Sequence, residues 1–456
     1  MQGSPRRSCA LIAATLTFSF CNIALAQSDA APVPVPTPAP STTATTDARP
    51  APPSPMGQRL FDAARDKLVQ VRILTQAGGT QSTVGSGFII ATDGTALTNY
   101  HVISSLVLEP KRFRAEYVGV DGKRGNVKLL GFDVIHDLAV VQLEGAMPTA
   151  NAAHFSLRPE AEPLRQGEKI YSLGNPLDLG FAISEGTYNG LVERRLYDTI
   201  HFTGALNPGM SGGPAVDEGG RVIGVNVAGT GGELANLLVP LRYVRPLLAK
   251  PRGGTLDKAS ITPQLIEHQD AMVNALLAKP LPRQALGPAT VAVGDEKLLR
   301  CWGQSVEKPD KPYRSETTRC SLQSSLYIDR EFGTGSVTWD HTYRNGDKLG
   351  ALRFATWQGK SLQVSIFGGG SQKPTRYLTR PHCHEDFVER EGTAMRVSVC
   401  TRAHREFEGL FDMKITATTV DRNTEGLSSG MDIRGISFAN GNRLMRAFLE
   451  ATTWTK

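Results

Sequence analysis

Hydrophobic residues between about residue 55 and residue 250 fall in short runs that are separated by glycine-rich turns. Short runs rich in β-branched and aromatic side chains are typical of strands in all-β barrels and sandwiches. Their number suits two small barrels better than one, and a short helix over residues 59–67 precedes them. The predicted strands cover residues 68–74, 86–91, 96–100, 113–118, 127–132, 138–143, 169–173, 181–188, 190–194, 199–203, 214–216, 222–227 and 237–240.

A different pattern follows the proline and glycine cluster at residues 251–254. Apolar residues at helical spacing predict a helix that is capped by Thr262 and has Pro263 in its first position. Further strands are predicted over residues 298–302, 336–343, 352–357, 362–367 and 395–401, and a closing helix over 442–451. We therefore predict an all-β protein with a first domain over residues 56–250, a linker with a helix over 251–286, and a second β-rich domain of unknown role over 287–456.

The first 55 residues differ from the rest and predict export. Arg6, Arg7, an apolar stretch over residues 11–20 and the small residues before Gln27 form a secretory signal peptide over residues 1–26. The apolar stretch is too short for a stable membrane span, although a single-span anchor is the alternative. Residues 27–55 contain nine prolines among Ala, Thr and Ser, which predicts a disordered linker. We expect a periplasmic or secreted protein without a membrane span after signal removal.

Charge and cysteine content narrow the classes of partner. Fifty Lys and Arg against 44 Asp and Glu give a net charge of +6, and the basic residues form no stripe that argues for nucleic acid. Signal removal leaves four cysteines, and an even number in an exported protein favours two disulfides. Three pairings are open; we favour the neighbours, Cys301 with Cys320 and Cys383 with Cys400. We predict no metal site, because the histidines beside Cys383 have no further ligand set.

Two local patterns supply a candidate base and a candidate acid. Residues 98–103, Thr-Asn-Tyr-His-Val-Ile, lead from a strand into a tight turn that presents His101. Asp137 stands directly before an apolar strand, where a partly buried carboxylate can orient a histidine and stabilise its charged form. The same segment offers Asp133 as a rival acid and His136 as a rival base.

A third pattern, Gly-Met-Ser-Gly-Gly-Pro at residues 209–214, supplies a candidate nucleophile. Its glycines allow a tight turn and close substrate approach, and they free backbone N–H groups to point at one spot. The pattern also fits the G-x-S-x-G turn of α/β-hydrolases, which requires a helix after the serine. The Gly-Gly-Pro that follows Ser211 cannot start a helix, so we reject that fold.

These patterns together resemble the trypsin-like serine proteases, and in particular the bacterial HtrA (Deg) branch. The order His101, Asp137, Ser211 is that of the chymotrypsin-like enzymes. The segments 172–176 and 180–186 also resemble the start of that branch's second barrel, and the resemblance covers roughly residues 56–248. A carboxylate-binding PDZ domain usually follows in this branch, but nothing after residue 250 is similar to one.

The resemblance implies a chymotrypsin-like double β-barrel with the active site in the cleft between the barrels. Ser211 would attack the scissile carbonyl, His101 would carry its proton to the leaving amine, and Asp137 would orient His101. The N–H groups of Gly209 and Ser211 would form the oxyanion hole. No cofactor is required.

The resemblance also suggests which residues bind the side chain before the scissile bond, the P1 side chain. The residue six before the nucleophile, Ala205, would lie at the base of the P1 pocket. Because Ala205 is not an acid, cleavage after Lys or Arg is not expected. Val227, Ala228 and Gly229 would line a pocket wall, which favours aliphatic P1 residues, while Gly229 leaves room for a larger one.

The expected function is that of an exported serine endopeptidase acting on proteins or peptides. Two alternatives stay open: a binding or chaperone-like protein that keeps the protease fold without turnover, and an esterase that uses the same triad. The intact His101, Asp137 and Ser211 favour an active enzyme. The second domain is open to three roles: substrate recruitment, autoinhibition or oligomerisation.

Overall fold

A computed structural model of the chain describes residues 54–145, 153–227, 235–252, 256–360, 375–390 and 392–454. The predicted signal peptide and nearly all of the predicted linker lie outside the described residues. Residues from 53 onward form one compact unit. Among the described residues, no helix has both the length and the apolar character needed to cross a membrane.

Twelve strands form two closed antiparallel barrels. Barrel 1 has the order β1-β2-β3-β6-β5-β4, and barrel 2 has the order β10-β11-β12-β9-β8-β7. These strands are β1 (Leu68–Thr75), β2 (Gln81–Ile89), β3 (Thr95–Thr98), β4 (Phe113–Gly119), β5 (Arg124–Asp133), β6 (Leu138–Glu144), β7 (Lys169–Gly174), β8 (Ala182–Leu191), β9 (Ile200–Thr203), β10 (Pro214–Val216), β11 (Val222–Asn226) and β12 (Asn236–Pro240).

The C-terminal region, residues 256–454, is built on a seven-stranded antiparallel sheet with the order β15-β16-β19-β23-β22-β21-β20. A three-stranded sheet, β13-β14-β24, and the hairpin β17-β18 accompany it. The strands are β13 (Arg283–Leu286), β14 (Ala289–Ala292), β15 (Leu299–Glu307), β16 (Arg314–Leu322), β17 (Leu326–Tyr327), β18 (Gly333–Thr334), β19 (Ser336–Asn345), β20 (His382–Arg390), β21 (Thr393–Ala403), β22 (Phe411–Thr419), β23 (Glu425–Ile436) and β24 (Thr453–Trp454).

In the described part of the chain, six α-helices accompany these sheets. Two of them, α4 and α6, pack their apolar sides on the seven-stranded sheet, where Trp339, Met413 and Phe448 are among the buried residues. The helices are α1 (Pro55–Ala64), α2 (Tyr100–Leu108), α3 (Leu241–Ala249), α4 (Ile261–Leu276), α5 (Ala351–Gly359) and α6 (Phe438–Glu450).

The predicted fold class is confirmed, since two closed barrels are followed by a second β-rich part. Both disulfides join directly opposed residues of neighbouring strands: Cys301 pairs with Cys320 and Cys383 with Cys400, which is the neighbour pairing that we favoured. Each bond fastens an outermost strand of the seven-stranded sheet to the strand beside it.

Three local predictions were wrong, and a fourth falls on residues that are not described. The predicted strand over residues 352–357 is part of α5, because a short apolar run does not distinguish a strand from a helix. The helix after the linker begins at Ile261 with Ser260 as its N-cap, so Thr262 is inside it. The predicted strands over 181–188 and 190–194 are one bulged strand, β8. The predicted strand over 362–367 lies outside the described residues.

Candidate active site

His101 lies in the first turn of α2, directly after strand β3 of barrel 1. The expectation of a tight turn was therefore wrong. The chain continues into a helix here, because five of the seven residues 102–108 are apolar and several of them pack into the barrel core. The helical start fixes both the backbone N–H and the imidazole of His101 toward the same carboxylate. The His101 side chain is 23% exposed, so one part of it reaches the cleft.

Asp137 holds His101 at two points. Its Oδ1 accepts the backbone N–H of His101 at 2.8 Å, and its Oδ2 lies 2.7 Å from Nδ1 of the ring. The side chain of Asn99 donates to the backbone carbonyl of Asp137 at 2.7 Å, which fixes the loop itself. Asp137 adopts a positive φ of 56°, a costly conformation for a residue with a side chain, which these contacts stabilise.

The electrostatic environment of His101 favours its charged form. Burial of the imidazole opposes protonation, but the charge of Asp137 and its hydrogen bond outweigh burial, so the pKa of His101 is raised. A histidine oriented in this way at Nδ1 leaves Nε2 to accept a proton from a neighbouring hydroxyl.

Ser211 lies in a tight turn between β9 and β10 and is 7% exposed. The turn packs directly on the segment that leads to His101. A Cβ atom added to Gly212 would contact the carbonyl oxygen of Ser86 and would lie 3.0 Å from the backbone nitrogen of Asn99. Gly212 has a φ of 84°, so this position requires glycine for two reasons. A strand, not a helix, follows the turn, in agreement with our rejection of the α/β-hydrolase fold.

Ser86, on β2, connects the two barrels beneath this turn. Its N–H donates to the carbonyl of Ser211 at 2.8 Å, and its hydroxyl donates to the carbonyl of Gly209 at 2.7 Å. The same hydroxyl accepts the N–H of Asn175 at 2.8 Å. Sequence reasoning missed this role of Ser86, although Ser86 lies in the Gly-Ser-Gly at 85–87 that opens the histidine pattern.

The backbone N–H groups of Gly209 and Ser211 are the predicted oxyanion donors. Gly209 has a φ of 95°, and a Cβ at this position would contact the carbonyl of Asn175. Within the described part of the chain, neither N–H donates to a backbone or side-chain acceptor. Two unpaired donors beside a serine are the arrangement that stabilises the negative charge of a tetrahedral intermediate.

One contact of a complete triad is missing. In the described residues, no hydrogen bond joins Nε2 of His101 to the hydroxyl of Ser211. Catalytic hydrogen bonds are often long in enzymes without substrate and tighten when substrate binds.

The rival acid and base, Asp133 and His136, bind each other. Nδ1 of His136 lies 2.7 Å from Oδ2 of Asp133, and the backbone N–H of His136 donates to Oδ1 at 2.9 Å. The His136 ring stacks on Tyr243 with 3.7 Å between the centroids. Burial raises the pKa of Asp133, but the hydrogen bond and charge of His136 outweigh it, so that this pKa is lowered. The pair supports the loop that carries Asp137.

The predicted P1 pocket is only partly described. Ala205 is exposed on the segment between β9 and Ser211. Val227 follows β11, is partly buried, and lines a cavity together with Asp137. Ala228 and Gly229 lie outside the described residues.

Comparison with known proteins bears on the family resemblance. A family model for the trypsin-like peptidase domain matches residues 85–225. The Serine protease Do-like HtrB of Bacillus subtilis is 32% identical over 162 residues, which cover 32% of this chain and 34% of that protein. A probable periplasmic serine endoprotease DegP-like of a Marinomonas species is 29% identical over 283 residues, which cover 57% of each chain. The resemblance to trypsin-like proteases of the HtrA/Deg branch is confirmed.

The match is confined to part of each protein. The chain spans about a third of the length of the Bacillus subtilis relative and little more than half of the Marinomonas relative. The crystal structure of the serine endoprotease from Yersinia pestis matches with a TM-score of 0.37 and 22% identity, covering 43% of this chain and 66% of that one.

Proposed function

We propose that this protein is an exported serine endopeptidase that hydrolyses peptide bonds in protein substrates. The observation that carries the proposal is that Asp137 contacts both the backbone N–H and the ring of His101. Beside this pair is a serine turn whose Gly209 and Ser211 N–H groups have no acceptor among the described residues. The names of the relatives, serine proteases and a periplasmic endoprotease, support both the activity and the export.

The proposed reaction proceeds through an acyl-enzyme. Oγ of Ser211 attacks the scissile carbonyl carbon while Nε2 of His101 takes the hydroxyl proton, and the N–H groups of Gly209 and Ser211 bind the oxyanion. Collapse of the intermediate breaks the C–N bond, and His101 gives its proton to the leaving amine. Water then attacks the ester by the same route, and Ser211 is regenerated. Asp137 stabilises the imidazolium and remains ionised.

We also propose the finer features that the sequence suggests. Ala205 and Val227 favour an aliphatic P1 side chain, because neither supplies a charge for Lys or Arg. The chain divides into a catalytic part over residues 56–250 and a β-rich part over 287–456 that are joined through residues 251–286. Protein or peptide substrates are the expected partners.

The test combines covalent labelling and turnover. The full mature chain and its Ser211→Ala variant are treated with a fluorophosphonate probe and, separately, incubated with an unfolded protein whose fragments are identified by mass spectrometry. The proposal requires labelling and cleavage by the wild type and neither by Ser211→Ala. A Ser105→Ala variant is the matched control and should retain both, because Ser105 lies on the same helix as His101 and its side chain has no hydrogen bond among the described residues.

The same experiment tests the alternatives. If the wild type is not labelled but suppresses aggregation of the unfolded protein, the chaperone-like alternative replaces the proposal. If it is labelled and cleaves ester substrates while peptide bonds remain intact, the protein is an esterase.

A further inference from the structure

A cavity of about 300 Å³ lies between the two barrels and the C-terminal region, directly beside the candidate triad. Asp137 and Val227 line it from the barrel side, and residues 323–327 line it from the C-terminal region. Val227, which we propose as a wall of the P1 pocket, also lines this cavity, so the cavity adjoins that proposed pocket. Its position is suited to substrate residues that precede P1.

The C-terminal wall is in contact with the catalytic helix. The ring of Tyr327 meets the ring of His101 edge-on, with 5.8 Å between centroids and an interplanar angle of 73°. The hydroxyl of Tyr100 donates to the carbonyl of Ile328 at 3.1 Å. A substrate that reaches His101 therefore passes a surface that the barrels alone do not supply.

The opposite side of the cavity is formed by the β8–β9 loop, residues 192–199, which carries Arg195. Both parts of the molecule hold this loop in place. Leu196 packs against the core of the C-terminal region, and the hydroxyl of Tyr197 lies 3.2 Å from Nδ1 of His268 on α4. Asp198 forms an ion pair with Arg242. Arg195 is thus presented on a fixed loop.

Arg195 is one of the residues that line this cavity. Among the described residues it has no hydrogen bond, ion pair or ring contact, and its Nε is fully buried. Burial lowers the pKa of its guanidinium, and no carboxylate among the described residues opposes that effect. The two carboxylates that face the same cavity are engaged elsewhere, Asp137 with His101 and Asp198 with Arg242. A partly buried cation of this kind is unusual unless something pairs with it.

We infer that Arg195 is a specificity-determining residue that binds an acidic side chain of the substrate just before P1. A substrate carboxylate would accept hydrogen bonds from the guanidinium, which is the strongest form of recognition open to arginine. The inference rests on the proposed endopeptidase function and assigns the C-terminal region a role in that function: residues 323–327 close the subsite and hold the acidic side chain against Arg195.

The test uses pairs of fluorogenic peptides that differ only by Glu or Gln at each position before P1. We expect the wild type to show a kcat/KM about tenfold higher for Glu at one of these positions. Arg195→Gln should remove that preference, so that kcat/KM for the Glu peptide falls to that for the Gln peptide. Arg195→Glu should transfer the preference to a Lys peptide. Arg194→Gln, which removes the same charge from the exposed neighbouring residue, is the matched control and should keep the preference for Glu.

The outcomes separate the inference from the function on which it rests. If no peptide is cleaved and no fluorophosphonate labelling occurs, the endopeptidase proposal fails. If peptides are cleaved equally well with Glu and Gln, or if Arg195→Gln keeps the preference, the role of Arg195 is overturned and the endopeptidase proposal stands. If Arg195→Gln lowers the melting temperature and slows all peptides equally, Arg195 is structural, which also overturns the inference.

Discussion

Two histidine–aspartate pairs in this part of the chain make the same contacts: His101 with Asp137, and His136 with Asp133. The second pair therefore serves as an internal control for the role of the first. Asp137→Asn preserves the shape of the carboxylate but removes the charge that stabilises the imidazolium. We expect kcat to fall by about 10³–10⁴. Asp133→Asn should lower stability and change kcat by much less, and comparable losses of kcat from the two variants would contradict the assignment of Asp137. The measurement is steady-state kinetics on one peptide.

The raised pKa of His101 predicts the pH dependence of the reaction. Because neutral His101 is the form that accepts the proton, kcat/KM should rise with pH through a midpoint above the ordinary pKa of histidine. The same shift stabilises the folded protein at low pH, and this contribution is lost as pH rises through the pKa of folded His101. Kinetics from pH 5 to 9 measure the midpoint; a midpoint below the ordinary histidine value would contradict the geometry.

We expect a substitution of Ser86 to change kcat, although Ser86 itself does not contact the substrate in the proposed mechanism. Its hydroxyl holds the carbonyl of Gly209, so that the N–H of Gly209 can bind the oxyanion. We expect Ser86→Ala to lower kcat by about tenfold or more, less than the loss of a whole oxyanion donor, and to leave KM nearly unchanged. Ser172→Ala is the matched control, because Ser172 is equally buried but its hydroxyl has no partner among the described residues. A KM effect in Ser86→Ala would indicate substrate binding instead.

At the scale of elements, each disulfide closes an edge of the seven-stranded sheet. Cys383 and Cys400 fasten β20 to β21 across a separation of 17 residues. A Cys383→Ser/Cys400→Ser variant should lose about 3 kcal/mol in its free energy of unfolding, because the unfolded chain gains freedom. No residue of β20 is among those that line the cavity or form the candidate triad, so kcat/KM should not change. Urea unfolding and peptide kinetics test both statements, and a large loss of activity would show that this edge is coupled to the site.

Whether the sequence predicts a feature depends on how far apart along the chain the interacting residues are. The barrel strands and the order of His101, Asp137 and Ser211 are properties of local patterns, and they were accessible. The disulfide pairing was not decided by the sequence, which left three pairings open; the structure has the one that we favoured. The helix α5 was not, since Phe354 and Gln358 became buried only through packing against distant parts of the chain. The roles of Ser86, Arg195 and Tyr327 also escaped prediction, because each depends on a partner or a cavity from another part of the fold.

At the scale of the whole molecule, the core of barrel 1 extends into the C-terminal region. Residues from both parts form one buried hydrophobic cluster, which includes Tyr100 and Ile103 of α2. An ion pair between Arg376 and Glu109 adds a polar contact at its margin. An interface of this kind resembles the interior of one domain more than a contact between mobile domains. The residues contributed from beyond residue 250 are Ile261, Leu265, Leu326, Ile328, Phe332, Tyr377, Leu378, Phe407 and Leu410.

This shared core predicts that the barrels do not fold stably alone. Truncation after Lys250 would expose the α2 side of barrel 1 to water, and we expect the fragment to bind a hydrophobic dye and to lack a cooperative melting transition. Ile328→Asp tests the same interface in the full chain. A buried, unpaired carboxylate should cost several kcal/mol and, because Ile328 lies beside Tyr327, should reduce kcat/KM as well. Leu352→Asp, on a side chain that is 86% exposed, is the control and should change stability by less than about 0.5 kcal/mol. A truncated fragment with the melting temperature and substrate range of the full chain would show instead that the C-terminal region is dispensable for both folding and recognition.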